Sequence, residues 1–190
     1  MNIKLKILLG ASLFAATFLN AMEEKNIRTE VNTMQIDLSK IALGNGTLNE
    51  NYKSMEKSVS PIFDFKLMGK LILGKKYWRL ATNKQKERYL EEFEKSIKSF
   101  YLAKFGLYQG QTLVLKEPIK KKNRIYLTNL IIEKNSTSEI IYKLYKSKTN
   151  GWLIYDVDIV GVSVIKVFRA QYKNILKKTN SIDELIEQLK

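Results

Sequence analysis

The sequence predicts an α+β domain: a four-stranded antiparallel sheet packed with N-terminal and C-terminal helices. Three observations carry this. From Glu24 to about Tyr108, apolar residues recur at spacings of three and four, the period of helices with one buried face. Between Thr112 and Val160, four segments rich in Val, Ile, Leu and Tyr are separated by short polar turns, as in hairpin-connected strands. After Gly161 the helical spacing returns. With 45% hydrophobic and 27% charged residues, two prolines and nine glycines, the composition suits one globular domain without a linker.

The first segment stands apart. Lys4 and Lys6 precede an apolar run from Ile7 to Leu19, and Asn20-Ala21 lead into the charged Met22-Glu23-Glu24-Lys25. That order reads as a secretory leader over residues 1–21, cut after Ala21, ahead of a single domain over residues 22–190. The apolar run is too short to span about 30 Å of hydrocarbon. No Cys stands at the junction to take a lipid anchor, and no later segment is apolar enough to cross a membrane. The mature chain is expected to be soluble outside the cytoplasm.

From Glu24 to Leu43, Ile27, Val31, Met34, Leu38 and Ile41 mark one helix face, ended by Gly44-Asn45-Gly46. Thr47 to Val59 suits a second helix. Ser60-Pro61 reads as a cap and first-turn proline opening a third, with Phe63, Leu67, Leu71 and Ile72 on its apolar side. Thr82 or Asn83 caps the longest helix, whose wide stripe is aromatic: Tyr89, Leu90, Phe93, Ile97, Phe100, Tyr101 and Phe105. Strands follow at Thr112–Leu115, Arg124–Glu133, Glu139–Lys146 and Trp152–Val160. Gly161-Val162-Ser163 opens a helix carrying Val164, Val167, Phe168, Tyr172 and Ile175. Ser181 with Glu184 three residues on forms a capping box for a short last helix.

Two of the strands break the expected pattern. Ile140-Ile141-Tyr142 and Leu153-Ile154-Tyr155 are apolar on both faces, whereas an open sheet with one wet face alternates. Either helices cover both faces or one face lines a cavity; the sequence leaves both open.

The chemistry available is narrow. His and Cys are absent, which removes the usual general base, the thiol nucleophile and most zinc ligands. Asp156 and Asp158, two apart on a strand, project from one face about 7 Å apart. They suit a carboxylate pair for hydrolysis or a divalent cation, but more simply they meet surrounding lysines or cap the next helix. Asp64 and Ser163 read as local caps. Gly44-Asn45-Gly46 lacks the flanking strand and further glycines of a phosphate loop. The net charge is +14, of which Lys4 and Lys6 contribute only two, so an anionic partner is favoured. Export makes nucleic acid the least suited of these, and Lys120-Lys121-Lys122 is a basic turn that fits a headgroup, an acidic partner or plain solvent. Glu133-Lys134-Asn135-Ser136-Thr137 has the form of a bacterial glycosylation sequon at Asn135.

The order of several short segments resembles the MlaC family, also called the toluene-tolerance or ABC-transporter auxiliary family. These are Pro61-Ile62-Phe63-Asp64-Phe65, Leu71-Ile72-Leu73-Gly74, Tyr77-Trp78-Arg79 and Gln85-Lys86-Glu87-Arg88 leading into Glu91-Glu92-Phe93 and Tyr101. The stronger match runs from Gly151-Trp152-Leu153-Ile154-Tyr155-Asp156-Val157 through Gly161-Val162-Ser163 to Phe168-Arg169-Ala170-Gln171-Tyr172, with Ser181-Ile182-Asp183-Glu184-Leu185-Ile186 at the end. Together they cover roughly residues 31 to 189. Tyr77 departs from the residue that family members often carry before Trp78.

The resemblance implies a periplasmic shuttle, monomeric and without catalysis, cofactor or metal. Its twisted sheet and helices would hold the acyl chains of a carried phospholipid in an apolar cavity between them. Its partners would be an MlaD-like ring of an inner-membrane ABC transporter and an outer-membrane MlaA-like lipoprotein complex, with no nucleic acid. The expected cavity wall is Leu67, Leu71, Phe93, Ile97, Tyr101, Leu127, Tyr142, Leu144, Trp152, Ile154, Val164 and Phe168, each of which also fits an ordinary core. Two other readings stand beside it: an enzyme using Asp156 and Asp158, and a cationic periplasmic interaction module with no lipid cavity.

Overall fold

Three long strands set the frame of the computed structural model, which describes residues 22–105 and 108–190, the side chain of Phe105 excepted. The expected leader at 1–21 and Gly106, the break after the long helix, lie outside the described residues. β3 (Arg124–Ile132), β4 (Thr137–Lys146) and β5 (Trp152–Ile159) pair antiparallel in sequence order. β1 (Thr112–Leu115) and β2 (Ile119–Lys121) both pair with β3 and share its outer edge. Pro118 lies between them; a residue with no N–H to donate interrupts a strand, and an edge is where that is tolerated. β6 (Val162–Ser163) extends the far side of β5. The sheet thus has six strands, β2 and β6 being too short to show an alternation in the sequence.

Among the described residues six α-helices accompany it: α1 (Ile27–Leu43), α2 (Leu48–Val59), α3 (Phe65–Leu80), α4 (Asn83–Phe105), α5 (Val164–Thr179) and α6 (Ile182–Glu187). Their starts follow from short polar side chains. Thr47 and Glu50 exchange a full capping box at α2, and Thr82 and Gln85 do so at α4. Ser163 and Ser181 accept from Lys166 N and Glu184 N at α5 and α6. Among the described residues, no helix is long and apolar enough to cross a membrane.

The start of α3 differs from the expectation. Ser60 closes α2 and Pro61 sits in a turn; Asp64 is the cap, its Oδ1 accepting from Leu67 N at 2.7 Å. Phe63 bridges to β5 and keeps this segment out of the helix: Ile154 N donates to Ile62 O, and Asp64 N to Ile154 O, both at 2.8 Å. Within α3, Gly74 has φ +79°, a break that a side chain would strain. Gly69 lets α3 approach α4 closely, since a Cβ there would stand 2.9 Å from Leu90 Cδ2.

The register explains the strands without alternation. Lys143 pairs with Asp156 but Leu144 with Ile154, which leaves Tyr155 as an extra residue on β5. Such a bulge reverses the side-chain phase. Trp152 and Ile154 before it, and Val157 and Ile159 after it, therefore share the inner face. α3 and α5 pack against β5, and every residue from Trp152 to Val157 is buried. The inner face then reads as cross-strand rows: Ile125, Leu144 and Ile154; Leu127, Tyr142 and Val157; Asn129, Ile140 and Ile159; and Ile131 with Ser138, beside Leu113 of β1.

Candidate functional site: an apolar cavity

The first row and Leu127 of the second are filled, while Tyr142 and Val157 of the second row border the cavity. Ile125, Leu127, Leu144 and Ile154 are at most 1% exposed, inside one continuous core. Over the next two rows the helices stand away from the sheet and leave a cavity of about 360 Å³, within the range of small-molecule sites. Its floor is Leu113, Asn129, Ile131, Ile140, Val157 and Ile159, and its roof is Met34, Gln35 and Leu38 of α1 with Met55 and Val59 of α2. Phe63 and Tyr101 close one side. Lys104, Gln111, Glu133 and Val160 also line it, and all four are wholly or partly exposed, which places the mouth there.

Local structure fixes these walls. On α1 the lining residues continue the face of Ile27 and Val31, both fully buried, so the helix presents one apolar stripe along the cavity. Phe63 is held by the pairing of its neighbours with Ile154, and its ring meets Tyr101 edge-on at 6.0 Å and Phe65 stacked at 5.6 Å. Asp64 ties this corner to β4 by accepting from the Tyr145 hydroxyl. Lys98, 2% exposed, lies 2.9 Å from Glu56 and 2.6 Å from Glu94, and so joins α2 to α4.

Four of the buried side chains in this wall are polar: Gln35, Tyr101, Asn129 and Tyr142. Gln35 Nε2 donates to Tyr142 Oη at 3.1 Å. Burial pushes the Tyr142 hydroxyl up to about 12, despite the Gln35 hydrogen bond, and pushes Tyr101 further. Tyr101 Oη and Asn129 Oδ1 have no hydrogen-bond partner among the described residues.

Of the twelve expected wall residues, Tyr101 and Tyr142 line this cavity. The other ten sit in or against the packed core. Phe93 and Ile97 are fully buried on α4, as are Leu127, Leu144 and Ile154 on the strands. Trp152 and Val164 are buried, and Leu67, Leu71 and Phe168 are partly buried against the core. Reading the sequence did not pick out Gln35, Asn129, Ile131, Ile140 or Ile159 as wall residues. One signal was available: Asn129 interrupts the alternating apolar positions Ile125, Leu127 and Ile131 of β3.

The carboxylates are structural. Lys143 Nζ lies 3.0 Å from Asp156 Oδ2 and 2.6 Å from Asp158 Oδ1. Burial lowers the Lys143 pKa, but the hydrogen bonds it donates to Asp158 and Asp156 outweigh it and raise the group above the usual lysine value. Asp156 also accepts from Ser163 Oγ at 2.8 Å and Ile165 N at 3.2 Å, which caps α5. Among the described residues no three acidic side chains gather to hold a metal ion. A second concavity of about 490 Å³, between α1 and α2, combines charged Glu30, Asp37, Lys40 and Lys57 with apolar Met34, Ile41, Pro61 and Ile62.

Comparison with known proteins agrees with this architecture. The chain is 24% identical over 142 residues to the toluene tolerance protein ttg2D of Pseudomonas putida, a match covering 73% of this chain and 66% of that protein, just under two thirds of its length. A solved structure of a phospholipid-binding protein from Ralstonia solanacearum, in complex with a phospholipid, superposes with a TM-score of 0.74 at 20% identity. That superposition covers 85% of this chain and 93% of the other. The MlaC protein family model matches residues 28–190, and with nearly the whole described chain inside that match, the protein belongs to the MlaC family.

Proposed function

We propose that this protein is a periplasmic phospholipid carrier, an exchange partner for an MlaD-like ring of an inner-membrane ABC transporter and an MlaA-like lipoprotein complex in the outer membrane. The observation that carries the reading is the unfilled apolar cavity over half of an otherwise packed sheet face. An acyl chain leaves a bilayer only where apolar walls replace it, since each exposed CH₂ costs about 0.8 kcal/mol. Here Met34, Leu38, Met55, Ile131, Ile140 and Ile159 supply those walls. Lys104 at the mouth suits a phosphate left outside, and the surplus of basic residues suits anionic headgroups and acidic docking surfaces. Membership of the MlaC family supports both the cargo and the compartment.

Catalysis is not part of this reading, because the strongest candidate pair, Asp156 and Asp158, is occupied by Lys143 and the start of α5. The test is native mass spectrometry of gently purified protein, followed by organic extraction of what is bound. A mass increment matching phospholipid is expected. An apo mass that stays unchanged after incubation with phospholipid vesicles would sink the carrier and favour a cationic interaction module instead.

A further inference from the structure

Two polar atoms in the cavity are left without partners, which an apolar site for plain hydrocarbon does not need. Tyr101 is 8% exposed and Asn129 1%, and both line the cavity. Neither Tyr101 Oη nor Asn129 Oδ1 has a hydrogen-bond partner among the described residues. Buried polar groups in folded proteins nearly always have one, so two unpaired atoms on residues that line one cavity point to something the cavity receives. Leu or Phe would have served as wall at no desolvation cost.

Position says which part of a phospholipid would meet them. Tyr101 stands three residues before Lys104 on α4, about 4.5 Å back along the helix axis from that residue at the mouth. In a phospholipid, a few covalent bonds through the glycerol separate the phosphate from the two ester carbonyls. A phosphate near Lys104 puts a carbonyl within reach of the Tyr101 hydroxyl. The Asn129 carboxamide presents either its oxygen or its NH₂ by rotation about χ2, and its NH₂ suits the second carbonyl. Asn129 is the cross-strand partner of Ile140 and one row from Tyr142, so it faces the same stretch of cavity.

We propose that Tyr101 and Asn129 form a polar station inside the cavity that hydrogen-bonds the glycerol ester carbonyls, so that this site selects ester-linked over ether-linked phospholipid. The inference rests on the carrier reading above and names its specificity. Elsewhere in the buried wall Gln35 and Tyr142 satisfy each other, and Ile131, Ile140 and Ile159 offer hydrocarbon contact, so discrimination falls to Tyr101 and Asn129.

The experiment is a competition read by native mass spectrometry, with vesicles holding equal amounts of a diester phosphatidylglycerol and its diether analogue of matched chain length. Wild-type protein is expected to take up the diester about tenfold more than the diether, the worth of two modest hydrogen bonds. Tyr101→Phe should cut that preference to about threefold, and Tyr101→Phe with Asn129→Leu should erase it. Without lipid, Tyr101→Phe should raise the Tm by a few degrees, because an unpaired hydroxyl is gone. Equal uptake of the two lipids by wild type, or an undiminished preference in Tyr101→Phe, overturns the station while the carrier stands. Uptake of neither lipid overturns both.

Discussion

One face of the sheet is finished in two ways. At Ile125, Leu144 and Ile154 the row is sealed inside the packed core, with each side chain at most 1% exposed. Two rows along, Ile140 and Ile159 are only partly covered and border an open volume beneath α1 and α2. Ile140 and Ile159 are the same kind of residue as Leu144 and Ile154, and only Asn129, standing where the sealed row has Ile125, differs, so most of the contrast lies in what stands opposite. A void forfeits contacts that a filled core would make, at about 24 cal/mol per Å³ in core-truncation series. The sealed half, the Asp156–Lys143 pair and the helix caps therefore stabilise a second half that is left unfilled.

The sharpest way to break this comparison is to place one charge in each half. Leu144→Arg buries an unpartnered guanidinium, a penalty of several kcal/mol against a total stability of about 5–15 kcal/mol. No cooperative thermal transition is expected. Ile140→Arg, whose guanidinium reaches the mouth, should fold with a modest loss in Tm and carry no lipid. Circular dichroism melts and native mass spectrometry read both; a stable, lipid-free Leu144→Arg would place the cavity in the half around Leu144 and Ile154.

Alkali probes the seam between the halves, where Tyr142 stands. Its hydroxyl is raised to about 12 by burial, while in the unfolded chain it ionises near 10. The folded state therefore holds the proton longer, and stability is complete below about pH 10 and falls as pH rises toward 12. From Tyr142 alone the loss amounts to about 3 kcal/mol. Unfolding and tyrosinate absorbance should rise together; tyrosinate appearing near pH 10 in a still folded protein would show a wetter seam. The smallest effect belongs to the roof. Thr47→Ala removes the box that starts α2 and should cost about 1 kcal/mol, with faster hydrogen exchange confined to that helix. Exchange spreading into β4 would mean that the roof and the packed half open as one unit.

Much of the frame was legible from the residues. The α1 face of Ile27, Val31, Met34 and Leu38, the caps at Thr82, Ser163 and Ser181, and the three long strands all follow from local periodicity and short polar side chains. Asp156 and Asp158 meeting a lysine and capping α5 was also legible, because a strand ending just before a helix brings its carboxylates to that helix's N–H groups. The wall was not. Leu127 and Ile131 lie four apart on the same face of β3, and a period of two gives the face of a residue but not the distance to the helix above it. Ser60-Pro61 misled for a similar reason: its local signal is sound, but Ile62 to Asp64 bond to Ile154, a partner some ninety residues away.

The extra residue at Tyr155 has a consequence for how this gene tolerates change. Even-numbered residues of β5 point inward before it and odd-numbered residues after it, so the strand is written in two phases joined at one codon. A substitution at Tyr155 loses a ring against Tyr145 and a hydroxyl that accepts from Arg124. Losing the codon is a different kind of event. It would turn either Trp152 and Ile154 or Val157 and Ile159 to the wrong side, and with the second pair would go Asp156 and the start of α5. Insertions and deletions in β5 should therefore be far rarer among functional variants than point changes at the same positions.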